Sequence, residues 1–374
     1  MPNTFSPQPP SDSPPHRLHA PRAISLGLQG GGTYGAFTWG VLDRLLDDER
    51  VIFDGISGTS AGAINAVVMA DGMAHGGGRA GAQAALRRFW SGLSEASRLS
   101  PVQRTPLDYL LGRWTLECSP GYHLMQVCSA MIAAVPPALM SMNPARELLS
   151  SLINFERVRA CEALRLFIHA TNVRTGKGRM FTREEIDAQR LTAAICLPQV
   201  LAAVEIDGEA YWDGSYVGNP ALAPLVAPGG ARDIVIVQIN PIVRQELPRS
   251  IADINNRSNE IAFNISMMRE VAAIRNVHAV IDEMDEDQVR AATVHTHLIS
   301  GADMLGTYGL SSKYNTDWAF LSHLHELGFA AAERWLAENF HQIGVRSTLD
   351  PDPIFHGNEN THTPPRSAAF GTGR

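Results

Sequence analysis

A short serine segment flanked by glycines, Gly58-Thr59-Ser60-Ala61-Gly62, is the part of this sequence that most directly suggests covalent chemistry. It follows an apolar run and precedes a stretch of small residues, so the pattern predicts a strand, an abrupt turn and a helix. A serine on such a turn presents its hydroxyl as a nucleophile, and glycine tolerates the close packing and positive φ that the turn requires. The G-x-S-x-G spacing alone is also compatible with a turn that has no chemical role.

A glycine-rich loop, Gly30-Gly31-Gly32, follows the first predicted strand and has two interpretations. In the first, its N–H groups and that of Ala61 form an oxyanion hole, as in serine hydrolases built on a sharp strand-to-helix turn. In the second, the loop and Gly35 form the dinucleotide fingerprint G-x-G-x-x-G, with Asp54 as the ribose-binding acid ~20 residues further on. We favour the oxyanion loop because Asp54 opens the segment that leads into the serine turn, which a nucleotide site would not need.

A carboxylate that could serve Ser60 is Asp213, which is followed by Gly214. An Asp-Gly pair is most often only a tight turn. This pair follows a predicted strand and precedes a small, glycine-rich loop, where a carboxylate could be presented to a substrate. A free aspartate has a pKa of about 3.9, so burial would have to raise the pKa of Asp213 toward the working pH before it could act as a general base.

The elements that would position these residues alternate between strands and helices, which is typical of an α/β fold with a mostly parallel sheet. The apolar run 233–239 is typical of a strand that is buried on both faces. Helices are predicted where apolar residues recur at helical spacing. Besides the strand before Ser60, the predicted strands cover 23–28, 165–172, 233–239 and 292–299. The predicted helices cover 36–48, 80–90, 191–204 with a kink at Leu197-Pro198, 251–280 and 316–340.

Both ends of the chain are polar and rich in proline. We expect residues 1–22 and 346–374 to be disordered tails, because they cannot bury enough apolar surface to offset the entropy lost on ordering. The catalytic domain is expected to cover 23–345. Within it, the apolar and proline-interrupted segment 99–150 is either a helical cap that lines an acyl-chain channel or faces lipid, or part of an ordinary helical core.

Composition excludes several classes of protein. The 374 residues are 45% hydrophobic and include 32 glycines, which suits an α/β enzyme. A net charge of −7 without a basic run argues against a nucleic-acid partner, whereas an apolar, peripheral contact with a membrane stays open. We find no Sec-type signal and no apolar run of ~20 residues, so we expect a cytoplasmic protein without a membrane span.

Metal and cofactor sites are not expected. No metal-ligand spacing or disulfide framework links the four cysteines, Cys118, Cys128, Cys161 and Cys196. His169 lies in an apolar run and is interpreted as a core residue. His295 and His297 share one face of a predicted strand, but a third ligand is not near them in the sequence, so a metal site is not favoured.

Together, the glycine loop, the G-x-S-x-G segment and the distant Asp213-Gly214 pair resemble the motifs of the patatin-like phospholipases, in the same order. Three ordered motifs are far more specific than any one of them, and the resemblance extends from residue 23 to residue 340. It implies a three-layer α/β/α fold with a mostly parallel central sheet. It also implies a Ser60–Asp213 dyad without histidine that hydrolyses lipid acyl esters, with Gly58, Gly62 and Gly214 supporting the turns.

Three positions depart from the family pattern. Gln29 stands where plant members have Asp, Tyr34 where many members have Arg or Lys, and Ser215 where Gly or Ala is usual. None of these changes removes a residue of the dyad. The change at Tyr34 removes a cation from the loop and therefore weakens the expectation of a preference for anionic headgroups.

Two other functions remain as alternatives. The first is an esterase or acyltransferase that acts on another acyl donor, such as a thioester or an intracellular polyester. Acyl-carrier transferases share the serine turn but need a histidine base, and no histidine lies in a comparable motif here. The second is a nucleotide-binding protein that hydrolyses nothing.

Overall fold

The computed structural model describes residues 20–130, 144–198, 201–226, 229–244, 247–249, 251–281 and 293–349. Within these ranges the chain forms a central sheet with helices on both faces. The predicted N-terminal tail lies outside the described residues except for its last three, and Arg22 already belongs to the first strand. The other predicted tail is described only as far as Leu349.

The sheet is mostly parallel. Its strands are β1 (Arg22–Leu28), β2 (Val51–Gly58), β3 (Arg165–Asn172), β4 (Gly178–Thr182), β5 (Val204–Ile206), β6 (Glu209–Asp213), β7 (Asp233–Gln238) and β8 (His295–Ser300). In the described part of the chain, hydrogen-bonded pairing follows the path β5-β6-β3-β2-β1-β7-β8, and β4 also pairs with β3. Strands β3, β2, β1, β7 and β8 run parallel, whereas β4, β5 and β6 pair antiparallel.

Helices cover both faces of this sheet, as the predicted three-layer fold requires. They are α1 (Gly35–Asp47), α2 (Ala61–Gly72), α3 (Gly78–Ala96), α4 (Pro106–Leu110), α5 (Pro120–Ala130), α6 (Pro144–Leu152), α7 (Phe155–Ala160), α8 (Ala188–Ala194), α9 (Ile251–Ile281), α10 (Ala302–Leu305) and α11 (Trp318–Asn339). Side chains alternate between the faces of a strand. On β7, Val235 and Val237 join the core under α1, α2, α3 and α11, whereas Ile234 and Ile236 join a second core with Met267 of α9.

One edge of β3 is shared by two strands. Strand β2 pairs with it and ends at Gly58, opposite Ile168. Two residues further along β3, Ala170 pairs with Asp213 of β6. Because Ala170 also pairs with Arg179 of β4, β4 lies on the opposite edge and β6 lies on the same edge as β2. The last residue of β6 therefore occupies the place in the sheet that β2 leaves when its chain turns into α2.

One predicted element is wrong. The helix predicted over 191–204 is α8, which covers Ala188–Ala194 and begins where the Asp187 side chain accepts a hydrogen bond from the Arg190 N–H. After α8 the chain leaves the helical conformation, and Val204 begins β5. Pro198 prevents the helix from continuing to Val204, since proline lacks the N–H that a helix needs and disfavours helical geometry in the residue before it.

The segment 99–150 forms short helices where it is described, and residues 131–143 lie outside the described part. Helix α4 begins with a capping box between Thr105 and Asp108. Past the predicted domain end at 345, Thr348 donates its N–H to the carbonyl oxygen of Thr296 on β8, so the fold continues into the predicted tail. Among the described helices, none is long and apolar enough to cross a membrane.

Candidate active site

Ser60 lies at the turn between β2 and α2, with a backbone conformation that is rare for a residue with a side chain (φ 52°, ψ −121°). Such strain costs on the order of 1–3 kcal/mol and is concentrated at functional positions. The turn is tightly packed. A Cβ on Gly62 would lie 2.2 Å from the carbonyl oxygen of Leu28, and a Cβ on Gly58 would lie 2.5 Å from the carbonyl oxygen of Gly62. Both flanking glycines are therefore required for the turn.

Asp213 is completely buried at the end of β6. Its backbone is fixed on both sides, because its N–H donates to the carbonyl oxygen of Cys196 (2.8 Å) and its carbonyl oxygen accepts from Thr171 Oγ1 (2.8 Å). Its Oδ1 accepts two hydrogen bonds from Ser215, one from the N–H (2.8 Å) and one from Oγ (2.7 Å). No described residue donates a hydrogen bond to Oδ2. The carboxylate thus has one committed oxygen and one free oxygen.

The electrostatics of Asp213 follow from this environment. Burial raises its pKa to about 6, while the hydroxyl of Ser60 and the hydroxyl and N–H of Ser215 oppose the rise in pKa because they favour the charged form. Ser60 is thus close enough to influence the carboxyl, although its hydroxyl does not reach hydrogen-bond geometry at Oδ2. The result is a carboxylate that is mostly ionised at neutral pH and still more basic than a solvated aspartate.

The glycine loop lies against Ser60. A Cβ on Gly30 would stand 2.4 Å from the Cβ of Ser60, so only glycine leaves room for the serine at this position. The Gly30 N–H donates to Asn219 Oδ1 (2.7 Å), so this predicted oxyanion donor is already in use. No hydrogen bond within the described residues uses the N–H groups of Gly31, Gly32 or Ala61. Gly32 has a positive φ of 62°.

The amide side chains of Gln29, Asn219 and Asn240, which the sequence analysis did not assign to the site, hold this loop. Gln29 Oε1 accepts from the N–H groups of Ile239 (3.0 Å) and Asn240 (3.1 Å), and its Nε2 donates to the carbonyl oxygen of Asn219 (3.2 Å). Asn240 Nδ2 donates to the carbonyl oxygen of Gly30 (2.6 Å). Gln29 and Asn240 both follow parallel strands, whose carboxyl ends meet at one edge of the sheet. Their positions after these strands are the sequence signal that could have identified them as residues of the site.

The glycine loop itself carries no cation, but the ammonium group of Lys313 lies beside it. Tyr34, at the position where many family members have Arg or Lys, is buried, and its hydroxyl lies 2.8 Å from Ser312 Oγ. Lys313 Nζ lies 5.5 Å from the centroid of the Tyr34 ring. This ammonium group donates to Asn240 Oδ1 (3.3 Å) and Glu260 Oε1 (3.1 Å). Lys313 therefore supports the loop through Asn240.

Asp54, the acid of the nucleotide interpretation, and His169, a histidine near the site, do not face the glycine loop and Ser60 as charged groups. Asp54 lies within β2, where it accepts from Ser25 Oγ (3.0 Å), from the Ala231 N–H (3.0 Å) and from Arg165, so it braces strands rather than facing the loop. His169 is buried, and burial lowers its pKa to about 4. It adjoins Ala170, the partner of Asp213 on β3, so its side chain and that of Asp213 point to opposite faces of the sheet.

Histidine and cysteine do not form a metal site in the described part of the chain, where no group of three or more candidate ligands occurs. His295 and His297, which share a face as predicted, both approach Asp233 (3.3 and 2.9 Å). This contact lies where β7 and β8 begin, at the opposite end of these strands from the glycine loop.

A family model, Patatin-like phospholipase, matches residues 26–226 of this chain, which include the glycine loop, the serine turn and Asp213. No curated protein matches it. Among solved structures, the chain is similar to VipD from Legionella pneumophila (TM-score 0.38, 10% identity), with 85% of this chain and 67% of VipD covered.

It is also similar to a structure of the heterodimeric ExoU–SpcU complex from the type III secretion system of Pseudomonas aeruginosa (TM-score 0.32, 15% identity). In that comparison 86% of this chain is covered, but only 52% of the other. This chain therefore spans about half the length of that second structure.

Proposed function

Because this chain belongs to the patatin-like phospholipase family, we propose that it hydrolyses lipid acyl esters with Ser60 as the nucleophile and Asp213 as the general base. The observation that carries the proposal is the pairing of a strained serine turn with a buried carboxylate that has one free oxygen. The strand register supports this pairing, since β6 continues the edge of β3 from which β2 departs. No metal or cofactor takes part in the proposed reaction.

In the first half of the reaction, Ser60 Oγ attacks the ester carbonyl carbon while its proton passes to Asp213. The C–O π electrons move onto the carbonyl oxygen and give a tetrahedral oxyanion. When this intermediate collapses, the bond to the alcohol oxygen breaks, and the leaving alkoxide takes the proton from Asp213. The products are a free alcohol and an acyl group bound to Ser60 Oγ.

In the second half, water replaces the alcohol. Asp213 accepts a proton from the water as its oxygen attacks the acyl carbon, and the collapse of the second intermediate releases the fatty acid and returns the proton to Ser60 Oγ. A base with a pKa of about 6 suits both halves, because it is largely free at neutral pH and yet accepts a proton more readily than a solvated aspartate.

The oxyanion would be held by the N–H groups of Gly31, Gly32 and Ala61, whose amides are unused within the described residues. Ala61 begins α2, so its N–H also carries the partial positive charge of a helix N-terminus. Gly30 belongs to the predicted set as well, but its amide is bound to Asn219. We assign Gly30 the role of making room for Ser60.

A peripheral membrane contact fits this function. Leu107, Leu110 and Leu111 are 50–83% exposed at helical spacing along α4 and its last turn, a pattern that favours insertion among lipid headgroups. On the neighbouring α5, Tyr122 packs against Tyr314 (5.8 Å between ring centroids), and Tyr314 follows Lys313, whose carbonyl oxygen lies against the glycine loop. Beside these leucines on α4, Tyr109 donates a hydrogen bond to Asp317, which lies four residues after Lys313, so this segment adjoins the rim of the site.

Vesicle sedimentation tests this contact. The double variant Leu110→Ser, Leu111→Ser should bind phospholipid vesicles less well and keep its turnover of a soluble short-chain ester. Val345→Ser is the matched control, because Val345 is 59% exposed but lies after α11. Equal loss of binding in both variants would contradict a contact through α4.

A fluorophosphonate probe and a substrate panel test the catalytic proposal. The probe should label Ser60, and Ser60→Ala should abolish both labelling and hydrolysis. Ser57→Ala is the matched control, since this buried serine of β2 donates to the carbonyl oxygen of Ala221 (2.6 Å) and should label normally. The panel comprises phospholipid, triglyceride, acyl-thioester and p-nitrophenyl ester substrates. Turnover of thioesters alone would favour another acyl donor, and normal turnover in Ser60→Ala would exclude the mechanism.

A further inference from the structure

Ser215 is the departure from the family pattern that lies closest to the reacting groups. It is buried with 1% of its surface exposed, and both of its donors bind the same oxygen, Oδ1 of Asp213. The N–H bond would exist with any residue at this position, because it belongs to the turn that Asp213 caps. The Oγ bond needs a hydroxyl, which the usual Gly or Ala cannot supply.

We propose that Ser215 is a positioning residue for the general base: its hydroxyl locks Oδ1 of Asp213, leaves Oδ2 to receive the proton of Ser60, and stabilises the ionised carboxylate in a buried site. This inference rests on the proposed function and deepens it. It assigns to this chain a third polar group that acts on the reaction through Asp213.

Geometry supports the positioning role. A carboxylate rotates about its Cβ–Cγ bond, and a single amide donor leaves that rotation partly free. Two donors from one residue, at 2.8 and 2.7 Å, define the plane of the carboxylate. The Ser215 hydroxyl lies close to the glycine loop, since a Cβ built on Gly30 would stand 3.2 Å from it. Gly30, Ser60 and Ser215 therefore meet at one point.

Charge supports the second part of the role. Hydrogen bonds from Ser215 lower the pKa of Asp213 against the opposing effect of burial. Two other titratable groups adjoin this site from neighbouring elements. Burial raises the pKa of Cys196, which follows α8, to about 12 and lowers the pKa of His169 on β3 to about 4. Both stay neutral near pH 6, so neither replaces the hydroxyl as a source of stabilisation for the carboxylate.

The pH dependence of kcat/KM tests the proposal. In Ser215→Ala and Ser215→Gly, which restore the side chains usual in the family, loss of a charge-assisted hydrogen bond should raise the pKa of Asp213. The acid limb of the profile should therefore move to higher pH by about one unit. Thr171→Val is the matched control, because Thr171 Oγ1 donates to the backbone carbonyl of Asp213 and not to its carboxylate. It should lower the melting temperature without moving the limb.

A titration of Asp213 that does not need turnover separates this inference from the proposed function. The ¹³C NMR signal of its carboxyl, assigned with Asp213→Asn, should titrate at a higher pH in Ser215→Ala than in the wild type. Equal titration curves and unmoved acid limbs in both Ser215 variants would overturn the role of Ser215. A wild type that hydrolyses no ester but still shows the NMR shift would reject the proposed function and keep the Ser215–Asp213 coupling.

Discussion

Two buried aspartates lie at opposite ends of the sheet, and their surroundings differ in kind. Asp213, at the end of β6, has one free oxygen, and burial raises its pKa to about 6. Asp233, at the start of β7, accepts hydrogen bonds from His297 Nε2 (2.9 Å) and the Gly344 N–H (2.8 Å). Burial alone would raise the pKa of Asp233, but the hydrogen bonds that it accepts lower this pKa well below the usual value.

The difference separates a carboxylate that holds the fold from one that is available for chemistry. A buried charge normally finds partners, because leaving it without them is costly. Asp233 follows this rule, since its donors converge on Oδ1 and join β7 and β8 to the residues after α11. Asp213 follows it only at Oδ1, because its Oδ2 is buried and has no hydrogen-bond partner among the described residues. Incomplete satisfaction in a buried carboxylate next to a strained serine is a physical signature of a functional site.

The same substitution at the two positions should separate the two roles, and the largest effect is expected at Asp213. Asp213→Asn should lower kcat/KM on the order of 10⁴-fold, because the amide cannot accept the proton of Ser60. Its stability should not fall, since a neutral amide is easier to bury than a carboxylate. Ester hydrolysis assays and thermal unfolding measure the two quantities. Wild-type activity in this variant would contradict the proposal that Asp213 serves the reaction and Asp233 the fold.

Asp233→Asn should show the reverse pattern. It weakens charge-assisted hydrogen bonds from buried donors, so we expect the free energy of unfolding to fall by about 2 kcal/mol. The site at the other end of the strands should keep its activity in the folded protein. Urea unfolding together with kcat/KM at low temperature measures both. A loss of activity without a loss of stability would show that Asp233 is not purely structural.

The pH dependence sharpens the comparison further. In the proposed mechanism Asp213 must be ionised to act as the base, so kcat/KM should fall about tenfold per pH unit below pH about 6. Its raised pKa also means that ionisation destabilises the fold as the pH rises from about 4 to 6. Ionisation of Asp233 has the opposite effect on stability, because its pKa is lowered in the folded protein. Its stabilising contribution is complete above the unfolded pKa of about 3.9 and is lost as the pH falls below that value. Stability curves of wild type and Asp213→Asn should therefore differ between pH 4 and 6.

The smallest effect is expected at Thr348, which lies next to the Asp233 cluster. Its Oγ1 lies 2.9 Å from His297 Nδ1, so Thr348→Val removes one buried hydrogen bond. The free energy of unfolding should fall by about 1 kcal/mol, with no change in the pH profile of activity. A moved acid limb in this variant would mean that the two ends of the sheet are coupled.

The sequence predicted the parts of the site that depend on local geometry. A serine between two glycines specifies a turn through steric limits that act within five residues, and a glycine loop after a strand is equally local. The roles of Gln29 and Asn219 depend on hydrogen bonds between distant parts of the chain, 190 residues apart. Such contacts follow from which strands become neighbours, so composition and spacing could not reveal them.

His295 and His297 also show that the sequence predicts local geometry but not contacts between strands. The alternating pattern correctly predicted that His295 and His297 share a face, because periodicity along a strand is a local property. Their partner, Asp233, belongs to the adjacent parallel strand, and only the register between β7 and β8 brings it to them. The helix predicted over 191–204 is wrong for a local reason instead: the apolar spacing continues past Pro198, but a helix does not, because proline lacks the N–H that the helix needs.

The shared edge of β3 has a consequence for how this protein can diversify. Because β2 and β6 meet the same strand end to end, the alignment of the proposed nucleophile, Ser60, and the proposed base, Asp213, is set by ladder hydrogen bonds and not by the length of chain between them. Insertions between α2 and β3, the region that carries the exposed leucines of α4, can therefore change what the enzyme touches without moving its reacting atoms. A slip of a single residue in β6 would instead turn the carboxylate to the other face of the sheet.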